Sequence, residues 1–151
     1  MDPMKLTEED ALARLAAHDH AVLSTLHPQR GIDSVPVVYA VSGRLLAVPI
    51  DTVKPKSSTR LRRQDNVDAD PRATLLADQW DRDDWSRLWW VRAHLERVHD
   101  DDAVPALSAA LAARYPQYRD QPFESVMVFR IVALYGWAAT GTGYGDLNPR
   151  G

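Results

Sequence analysis

The sequence contains no cysteine, and this absence removes several classes of site at once. Disulfide bonds, thiolate metal centres and cysteine nucleophiles are all excluded. A chain without cysteine is typical of a reducing compartment, and we expect a cytoplasmic protein. The sequence also has no apolar run near the roughly 20 residues that cross a bilayer, and its first residues lack the apolar core of a signal peptide. We therefore expect no membrane segment.

The chain also lacks an excess of positive charge. Its formal net charge is −3, which argues against general nucleic-acid binding, because that function needs a broad basic surface. Hydrophobic residues make up 45% and charged residues 26% of the chain, as in ordinary globular proteins. We expect one domain over residues 1–140 and a flexible, glycine-rich tail over residues 141–151.

Motifs for catalysis and metal binding are missing too. There is no nucleophile elbow of the serine hydrolases. His18 and His20 form a His-x-His pair, but no third ligand lies nearby in the sequence. The acidic loop Asp81–Asp84 lacks the glycine and the terminal glutamate of a calcium-binding EF-hand. We therefore predict no metal site, and no side chain is assigned as catalytic.

What the sequence does contain is a series of short apolar or alternating segments separated by turn residues such as Ser42-Gly43. The predicted strands are Ala21–Leu26, Ile32–Val41, Arg44–Ile50, Ala73–Trp80, Leu88–Val98 and Ser125–Trp137. The predicted helices run from Thr7 to about His18, from about Ser58 to Asn66, and onward from Asp102, and residues 116–122 are predicted to be a loop. Tight turns favour antiparallel pairing, so the sequence predicts a mainly β fold with flanking helices, a six-stranded antiparallel barrel that is closed or nearly closed.

The chain contains five tryptophans, and the sequence pattern predicts where some of them lie. Alternation along a strand sends Trp89 and Trp90 to opposite faces of the sheet, so one of them is expected in the barrel. Trp85 follows a charged loop, and we expect it to be the tryptophan that lines a ligand site.

The densest positive charge lies between Lys54 and Arg63, where five cations occur without one acid. An apolar strand precedes this basic segment, residues 51–63, and helix-capping hydroxyls lie within it. Backbone N–H groups at a helix start, the helix dipole and cationic side chains together favour a phosphate. The segment therefore predicts a phosphorylated cofactor, although a solvated basic helix face would produce the same pattern, above all at Arg62 and Arg63.

Four segments carry a resemblance to a known family: Val35-Pro36-Val37-Val38-Tyr39, Lys54 to Arg63, Asp70-Pro71-Arg72-Ala73, and Asp84 to Val91. Together they resemble the pyridoxamine-phosphate-oxidase-like split β-barrel family, and more narrowly its actinobacterial branch that binds the deazaflavin F420. The resemblance extends from Leu15 to about Trp137.

The resemblance implies a homodimer with two cofactor sites at the subunit interface. It places the cofactor phosphate on Lys54, Lys56, Ser57, Thr59 and Arg60. It places the ring system along Pro36, Val37, Val38 and Ile50, where backbone groups can meet the polar edge of the ring. It also brings Trp85 and Ser86 towards the cofactor.

The activity implied by the resemblance is an F420-dependent oxidoreductase that passes a hydride to an electron-poor small molecule. The cofactor supplies the hydride chemistry in such a protein, which fits the absence of an assigned catalytic residue. FMN stays open as the alternative cofactor, because it also combines a phosphate, a ribityl chain and a tricyclic ring. A protein that carries F420 without turnover is a further alternative.

Overall fold

Eight strands and four helices occupy the part of the chain described by the computed structural model, residues 4–50, 62–120 and 125–140. The strands are β1 Met4–Lys5, β2 Ala21–His27, β3 Gly31–Val37, β4 Ala40–Ser42, β5 Leu45–Ile50, β6 Arg72–Gln79, β7 Trp89–Val98 and β8 Ser125–Ala138. The helices are α1 Glu8–Ala17, α2 Arg62–Ala69, α3 Val104–Arg114 and α4 Gln117–Asp120.

All the strands belong to one antiparallel sheet with the order β3-β2-β6-β7-β8-β5-β4, and β1 pairs with β8. The two ends of this order, β3 and β4, follow each other directly in the chain, so the sheet curls round on itself. No ladder of hydrogen bonds joins β3 to β4 within the described residues. The result is a split β-barrel, and the predicted fold class is confirmed.

One predicted strand, Ile32–Val41, is divided into β3 and β4 at Val38 and Tyr39. The reason is a contact distant in sequence. The Tyr39 N–H donates to the Tyr115 hydroxyl at 3.4 Å, and that hydroxyl lies 3.0 Å from the Tyr39 carbonyl oxygen. A side chain therefore replaces a neighbouring strand at this residue, and the chain crosses from one sheet edge to the other.

Three smaller differences concern two short elements and the bounds of one helix. β1 was not predicted, and it adds a strand beside the end of β8. The predicted loop over residues 116–122 contains the short helix α4. The helix predicted to end at Asn66 continues to Ala69, and its predicted start at Ser58 lies outside the described residues.

The inner face of the sheet forms the main core. Alternation along β2, β6 and β7 buries Leu23, Leu75 and Val91, while their chain neighbours point outward. Trp89 is 2% exposed and Trp90 is partly exposed, so the predicted division of this pair between the two faces is confirmed. Helix α1 packs against this core through Leu15.

Helix α1 begins and ends at recognisable signals. The Thr7 hydroxyl accepts a hydrogen bond from the Asp10 N–H at 3.1 Å and so caps the helix at the residue where the sequence predicts its start. At the other end, the Arg114 guanidinium of α3 donates to the carbonyl groups of Ala16 and His18. Cationic donors suit a helix C-terminus, so this contact both ends α1 and holds α3 against it.

Helix α3 covers one part of the outer face of the sheet. Its Leu107 and Leu111 pack with Ala47 of β5 and with Val126 and Val128 of β8. These outward residues are therefore as buried as the inner core. We call this part of the outer face the covered half.

Candidate functional site

The rest of the outer face, formed by β3, β2, β6, β7 and the second part of β8, is the open half. The strand registers place Pro36, Val22, Leu76, Arg92 and Tyr135 side by side across it. The large apolar residues exposed on these strands are Val22, Ile32, Leu76, Val132 and Tyr135. Contiguous exposed apolar surface of this kind marks ligand or partner sites more often than chance would place it.

A cleft of about 480 Å³ opens on this half, and we call it the outer cleft. Its volume lies within the range of small-molecule sites. It is lined by Ser24, Thr25, Leu26, Ile32, Arg72, Ala73, Thr74, His94, Leu95, Glu96 and Val132. Five different strands contribute these residues, so the cleft depends on the barrel as a whole.

Val132 lines the cleft at a bulge in β8. His94 pairs with Ala133, whereas the next residue, Leu95, pairs with Ile131, so Val132 is the extra residue on β8. Bulges redirect a side chain out of the regular alternation and are frequent beside functional sites. Here the bulge adds an apolar wall to the cleft.

Four polar side chains lie in one line on the open half, and three of them, Ser24, Thr74 and His94, line the outer cleft. Ser34, Ser24, Thr74 and His94 occupy successive positions on β3, β2, β6 and β7 and are direct cross-strand partners. The two serine hydroxyls lie 2.8 Å apart and hydrogen-bond to each other. We call these four residues the polar row. A few aligned polar groups between apolar walls are what orients a ligand in a small-molecule site.

His94 has the most defined surroundings in the row. Arg92 Nε donates a hydrogen bond to His94 Nε2 at 3.3 Å, and the His94 ring meets the Tyr135 ring edge-on at 5.5 Å between centroids. Arg92 in turn lies over the rings of Trp90 and Tyr135 at 5.4 and 5.7 Å. A guanidinium held over two rings at once is fixed in position, so the imidazole beside it is fixed too.

The charged residues that line the cleft are paired with partners outside it. Arg72 Nε and Nη2 donate to the two oxygens of Asp70 at 3.0 and 2.8 Å. These hydrogen bonds from Arg72 lower the pKa of Asp70 to about 2. Arg130 Nη2 donates to Glu96 at 3.2 Å. Each cation or anion of the cleft wall therefore has a counter-charge.

Helix α2 is attached to the wall of the same cleft. The buried Asn66 amide donates to the Thr25 hydroxyl and to Asp33 Oδ2, both at 2.9 Å. Arg30 pairs with the same carboxylate at 2.5 Å. Hydrogen bonds from Arg30, and then from Asn66, lower the pKa of Asp33 to about 2. Because α2 begins at Arg62, the helix that directly follows Lys54–Arg60 is anchored beside the outer cleft.

The loop between β6 and β7 presents two indole rings. Trp80 and Trp85 are 59% and 64% exposed, and their ring centroids lie 5.7 Å apart. Asp84 accepts hydrogen bonds from the Ser86 N–H and hydroxyl at 3.1 and 2.5 Å, which lower the Asp84 pKa. The loop is therefore ordered by its own side chains, even though it exposes two of the largest apolar groups in the chain.

The residues predicted for the cofactor site fall into three groups. Val37 and Ile50 point into the main core, so only their backbone can face a ligand. Pro36, Trp85 and Ser86 are exposed and Val38 is partly buried. None of these six lines the outer cleft. The five predicted phosphate-binding residues lie outside the described residues: Lys54, Lys56, Ser57, Thr59 and Arg60.

Sequence reasoning missed the polar row, because its members are scattered over four strands and only the pairing register aligns them.

The sequence analysis considered a metal site at the two histidines near the N-terminus, His18 and His20. His18 lies against His20 at 5.7 Å and edge-on to Trp89 at 5.0 Å between ring centroids. Burial, and then the neighbouring His20, lower the His18 pKa. Among the residues that the structure describes, no group of three or more His, Cys, Asp or Glu is placed to hold a metal ion.

The acidic loop that was weighed as a calcium site serves as a turn. Asp81 Oδ1 accepts from the backbone N–H groups of Asp83 and Asp84 at 2.9 and 3.1 Å. Its carboxylate is thus used to shape the loop.

In the described ranges no helix is long and apolar enough to cross a bilayer.

The fold is that of the split β-barrels, a class that includes flavin-binding proteins. No protein-family model and no curated protein matches the chain. Solved structures do match. One is an FAD-binding protein from Mesorhizobium loti, with 16% identity over 93% of this chain and 100% of that chain and a TM-score of 0.67.

Two further structures share the architecture. A candidate pyridoxamine 5'-phosphate oxidase from Corynebacterium glutamicum matches with 16% identity over 89% of this chain and 96% of that chain, at a TM-score of 0.54. A conserved hypothetical protein from Mycobacterium tuberculosis matches with 18% identity over 89% and 86%, at a TM-score of 0.68. At these identities the similarity establishes the fold and leaves the ligand to be argued from the site.

Proposed function

We propose that the protein is an oxidoreductase that binds a phosphorylated redox cofactor, coenzyme F420 with FMN as the alternative, and reduces a small electron-poor acceptor. The observation that carries this proposal is the attachment of α2 to the barrel. This helix follows the cationic residues Lys54, Lys56 and Arg60 in the sequence, and its Asn66 donates to Thr25 of β2 and Asp33 of β3. A basic sequence that leads into a helix start suits a phosphate, and the exposed outer side of β3 offers a surface for a ring system.

The basic segment has the role of binding the anion. Lys54 and Lys56 are two of only three lysines in the chain, the third being Lys5. Ser57 and Thr59 add hydroxyl donors, and Arg60 adds a forked guanidinium. Together these groups form a charge-assisted set of donors that a phosphate can accept from. The FAD-binding neighbour and the candidate oxidase neighbour support a cofactor of this type on this fold.

The ring system is proposed to lie along the outer side of β3, where Pro36 is exposed and the backbone of Val37 and Val38 is within reach. Ile50 ends β5 just before the basic segment, so the same molecule can span from the strand to the phosphate site. The bound cofactor would supply the hydride. The protein would orient the ring and keep water away from it with apolar groups such as Leu76, and with Trp85 and Ser86 of the ordered loop.

A titration with each cofactor tests the proposal. We expect F420 to bind the purified protein with saturation, followed by its absorbance and fluorescence, and more tightly than FMN. Bound FMN absorbs at longer wavelength, so the two cofactors are distinguished in one experiment. If neither cofactor binds, the proposal is wrong. If only FMN binds, the alternative cofactor is correct.

The double variant Lys54→Ala/Lys56→Ala locates the phosphate. Loss of two charge-assisted contacts should weaken cofactor binding by about 2–4 kcal/mol. The matched control is Lys5→Ala, which removes the remaining lysine, on the exposed strand β1. It should leave the affinity unchanged. Equal affinities for the double variant and the control would show that the basic segment does not hold the phosphate.

Turnover separates an enzyme from a carrier. Reduced F420 is mixed with the protein and with quinones, nitro compounds or enones, and oxidation of the cofactor is followed by absorbance. Oxidation that depends on protein and acceptor supports the enzyme. A bound cofactor that stays reduced with every acceptor supports a carrier.

The proposal includes a homodimer. Its support is the set of exposed apolar side chains on the open half. Burying Val22, Leu76 and Tyr135 against a second copy would remove apolar surface that a soluble monomer rarely exposes. We expect a dimer in sedimentation velocity, and Leu76→Arg should shift it to monomer. The control Ala109→Arg adds the same charge to the solvent side of α3 and should not. A monomeric wild-type protein would contradict this part of the proposal.

A further inference from the structure

We propose that the outer cleft binds a neutral, planar, carbonyl-bearing molecule, and that the Nδ1–H group of His94 donates a hydrogen bond to its carbonyl oxygen. None of the predicted cofactor residues that the structure describes lines this cleft.

The balance of charge in the cleft favours a neutral ligand. Two charged side chains line it, Arg72 and Glu96, and both are paired, with Asp70 and Arg130 respectively. An anionic ligand would have to compete with Asp70 for Arg72. A cationic ligand would have to compete with Arg130 for Glu96. A ligand without charge disturbs neither ion pair.

The polar groups of the cleft include one donor whose direction is fixed by a ring. The hydroxyls can rotate: Ser24 is bonded to Ser34, and the Thr25 hydroxyl accepts from Asn66 while its own O–H stays a donor. Arginine is always protonated, so the bond from Arg92 Nε requires His94 Nε2 to be the acceptor nitrogen. The proton of the neutral imidazole then resides on Nδ1, for which the described residues provide no acceptor. A ligand carbonyl oxygen in the cleft is an acceptor that suits this N–H group.

The remaining walls favour a flat apolar body. Leu26, Ile32, Leu95 and Val132 contribute aliphatic surface on several sides of the polar row. The Thr74 hydroxyl lies next to His94 in that row and offers a second hydrogen bond. An aromatic carbonyl compound matches this combination of apolar walls and aligned donors.

One part of the inference rests on the proposed function: the identification of the cleft ligand as the electron acceptor of the reaction. Binding itself can be measured without any cofactor. The two proposals can therefore fail separately. If the protein binds naphthoquinone through His94 but binds neither F420 nor FMN, the inference about the cleft is supported and the proposed oxidoreductase is wrong. If the protein binds a cofactor but its naphthoquinone affinity does not depend on His94, the oxidoreductase proposal is supported and the inference about the cleft is wrong.

The experiment is equilibrium dialysis of the cofactor-free protein with three probes that share one skeleton: naphthoquinone, naphthalene and naphthoquinone sulfonate. The chain has no cysteine, so the quinones are not consumed by thiols. We expect saturable binding of naphthoquinone and weaker binding of naphthalene. The sulfonate should bind no more tightly than the neutral quinone. No saturable binding of naphthoquinone, or tighter binding of the sulfonate, would overturn the inference.

Substitution of His94 identifies the donor. His94→Ala should weaken naphthoquinone binding by about tenfold, the size of one hydrogen bond, and naphthalene binding by much less. His94→Asn places an amide N–H group near the position of Nδ1 and should restore most of the affinity. The control His99→Ala removes an exposed histidine just beyond β7 and should change nothing.

Equal losses for both probes in His94→Ala would mean that the ring acts by packing, and the assignment of the donor would be wrong. If His94→Ala does not fold, the comparison of wild type with His94→Asn remains. In that case a nitrogen-15 imidazole spectrum of the wild type should show a neutral ring protonated at Nδ1, with this nitrogen shifted by naphthoquinone. A ring protonated at Nε2 would refute the inference.

Discussion

The covered half and the open half of the outer face belong to one sheet, yet they differ in what lies over their apolar side chains. In the covered half, Ala47 and Val128 are buried beneath Leu107 and Leu111 of α3. In the open half, Leu76 is 42% exposed, and no helix among the described residues packs extensively on its strand β6. Both halves carry large apolar side chains, so the presence of such residues does not distinguish them.

The difference shows which apolar residues the fold needs. Side chains under α3 contribute their burial to stability, because they leave water when the chain folds. Side chains of the open half remain in water in the folded monomer and contribute little to it. Their apolar character, together with the polar row between them, is therefore best explained by what binds there.

The largest expected effect comes from breaking the covered half. Leu111→Ala should lower the free energy of unfolding by about 2–5 kcal/mol, because it leaves a cavity between α3 and the sheet. Leu76→Ala removes the same atoms from the open half and should cost less than about 0.5 kcal/mol at concentrations where the protein is monomeric. Urea unfolding of both variants measures the contrast. Similar losses would show that the open half is also part of the core.

A tyrosine pair sharpens the same contrast at smaller magnitude. Tyr115→Phe removes the hydroxyl that bonds the backbone of Tyr39 and lies 2.7 Å from the Asp19 carbonyl oxygen. The loss should be about 1–2 kcal/mol. Tyr135→Phe in the open half is the matched control and should be close to neutral in thermal unfolding. A neutral Tyr115→Phe would mean that other contacts hold β4 in place.

The attachment of α2 to the barrel should respond to acid through Asp33. Its folded-state pKa of about 2 lies below the ordinary value of 3.8 because of Arg30 and Asn66. The stability contributed by this carboxylate is therefore complete above pH 3.8 and is lost as the pH falls towards 2. Asp33→Asn should show a smaller loss over this interval in unfolding experiments at stepped pH, and Asn66→Ala an intermediate one. Parallel pH profiles for wild type and Asp33→Asn would contradict the assignment.

The smallest effect is expected inside the polar row. Thr74→Val keeps the shape of a partly exposed side chain and removes only its hydroxyl, so the free energy of unfolding should change by less than about 0.5 kcal/mol. Thermal unfolding measures this change. A loss above about 1 kcal/mol would assign the hydroxyl to the fold, and the polar row would then need no ligand to explain it.

Most of the fold could be predicted because its signals are local. Alternation along β2, β6 and β7, the glycine turn at Gly43 with its φ of 59°, and the Thr7 cap each depend on a few neighbouring residues. The break between β3 and β4 could not be predicted. It depends on Tyr115, 76 residues away from Tyr39.

The site was harder to predict for the same reason. Ser24, Thr74 and His94 each look like an ordinary outward residue of a strand, and only the register of the sheet aligns them. The bulge at Val132 is likewise invisible in the sequence of β8 alone. The basic segment, in contrast, was found from local charge density, and its predicted role is tested by the lysine variants.

The direct link between β3 and β4 has a mechanical consequence. These strands form opposite edges of the sheet, yet only Val38 and Tyr39 separate them in the chain. With 3.8 Å between successive Cα atoms, Val37 and Ala40 can never be more than about 11 Å apart. The two sheet edges can therefore separate only as far as this link allows, and the sheet cannot flatten completely where β3 passes into β4.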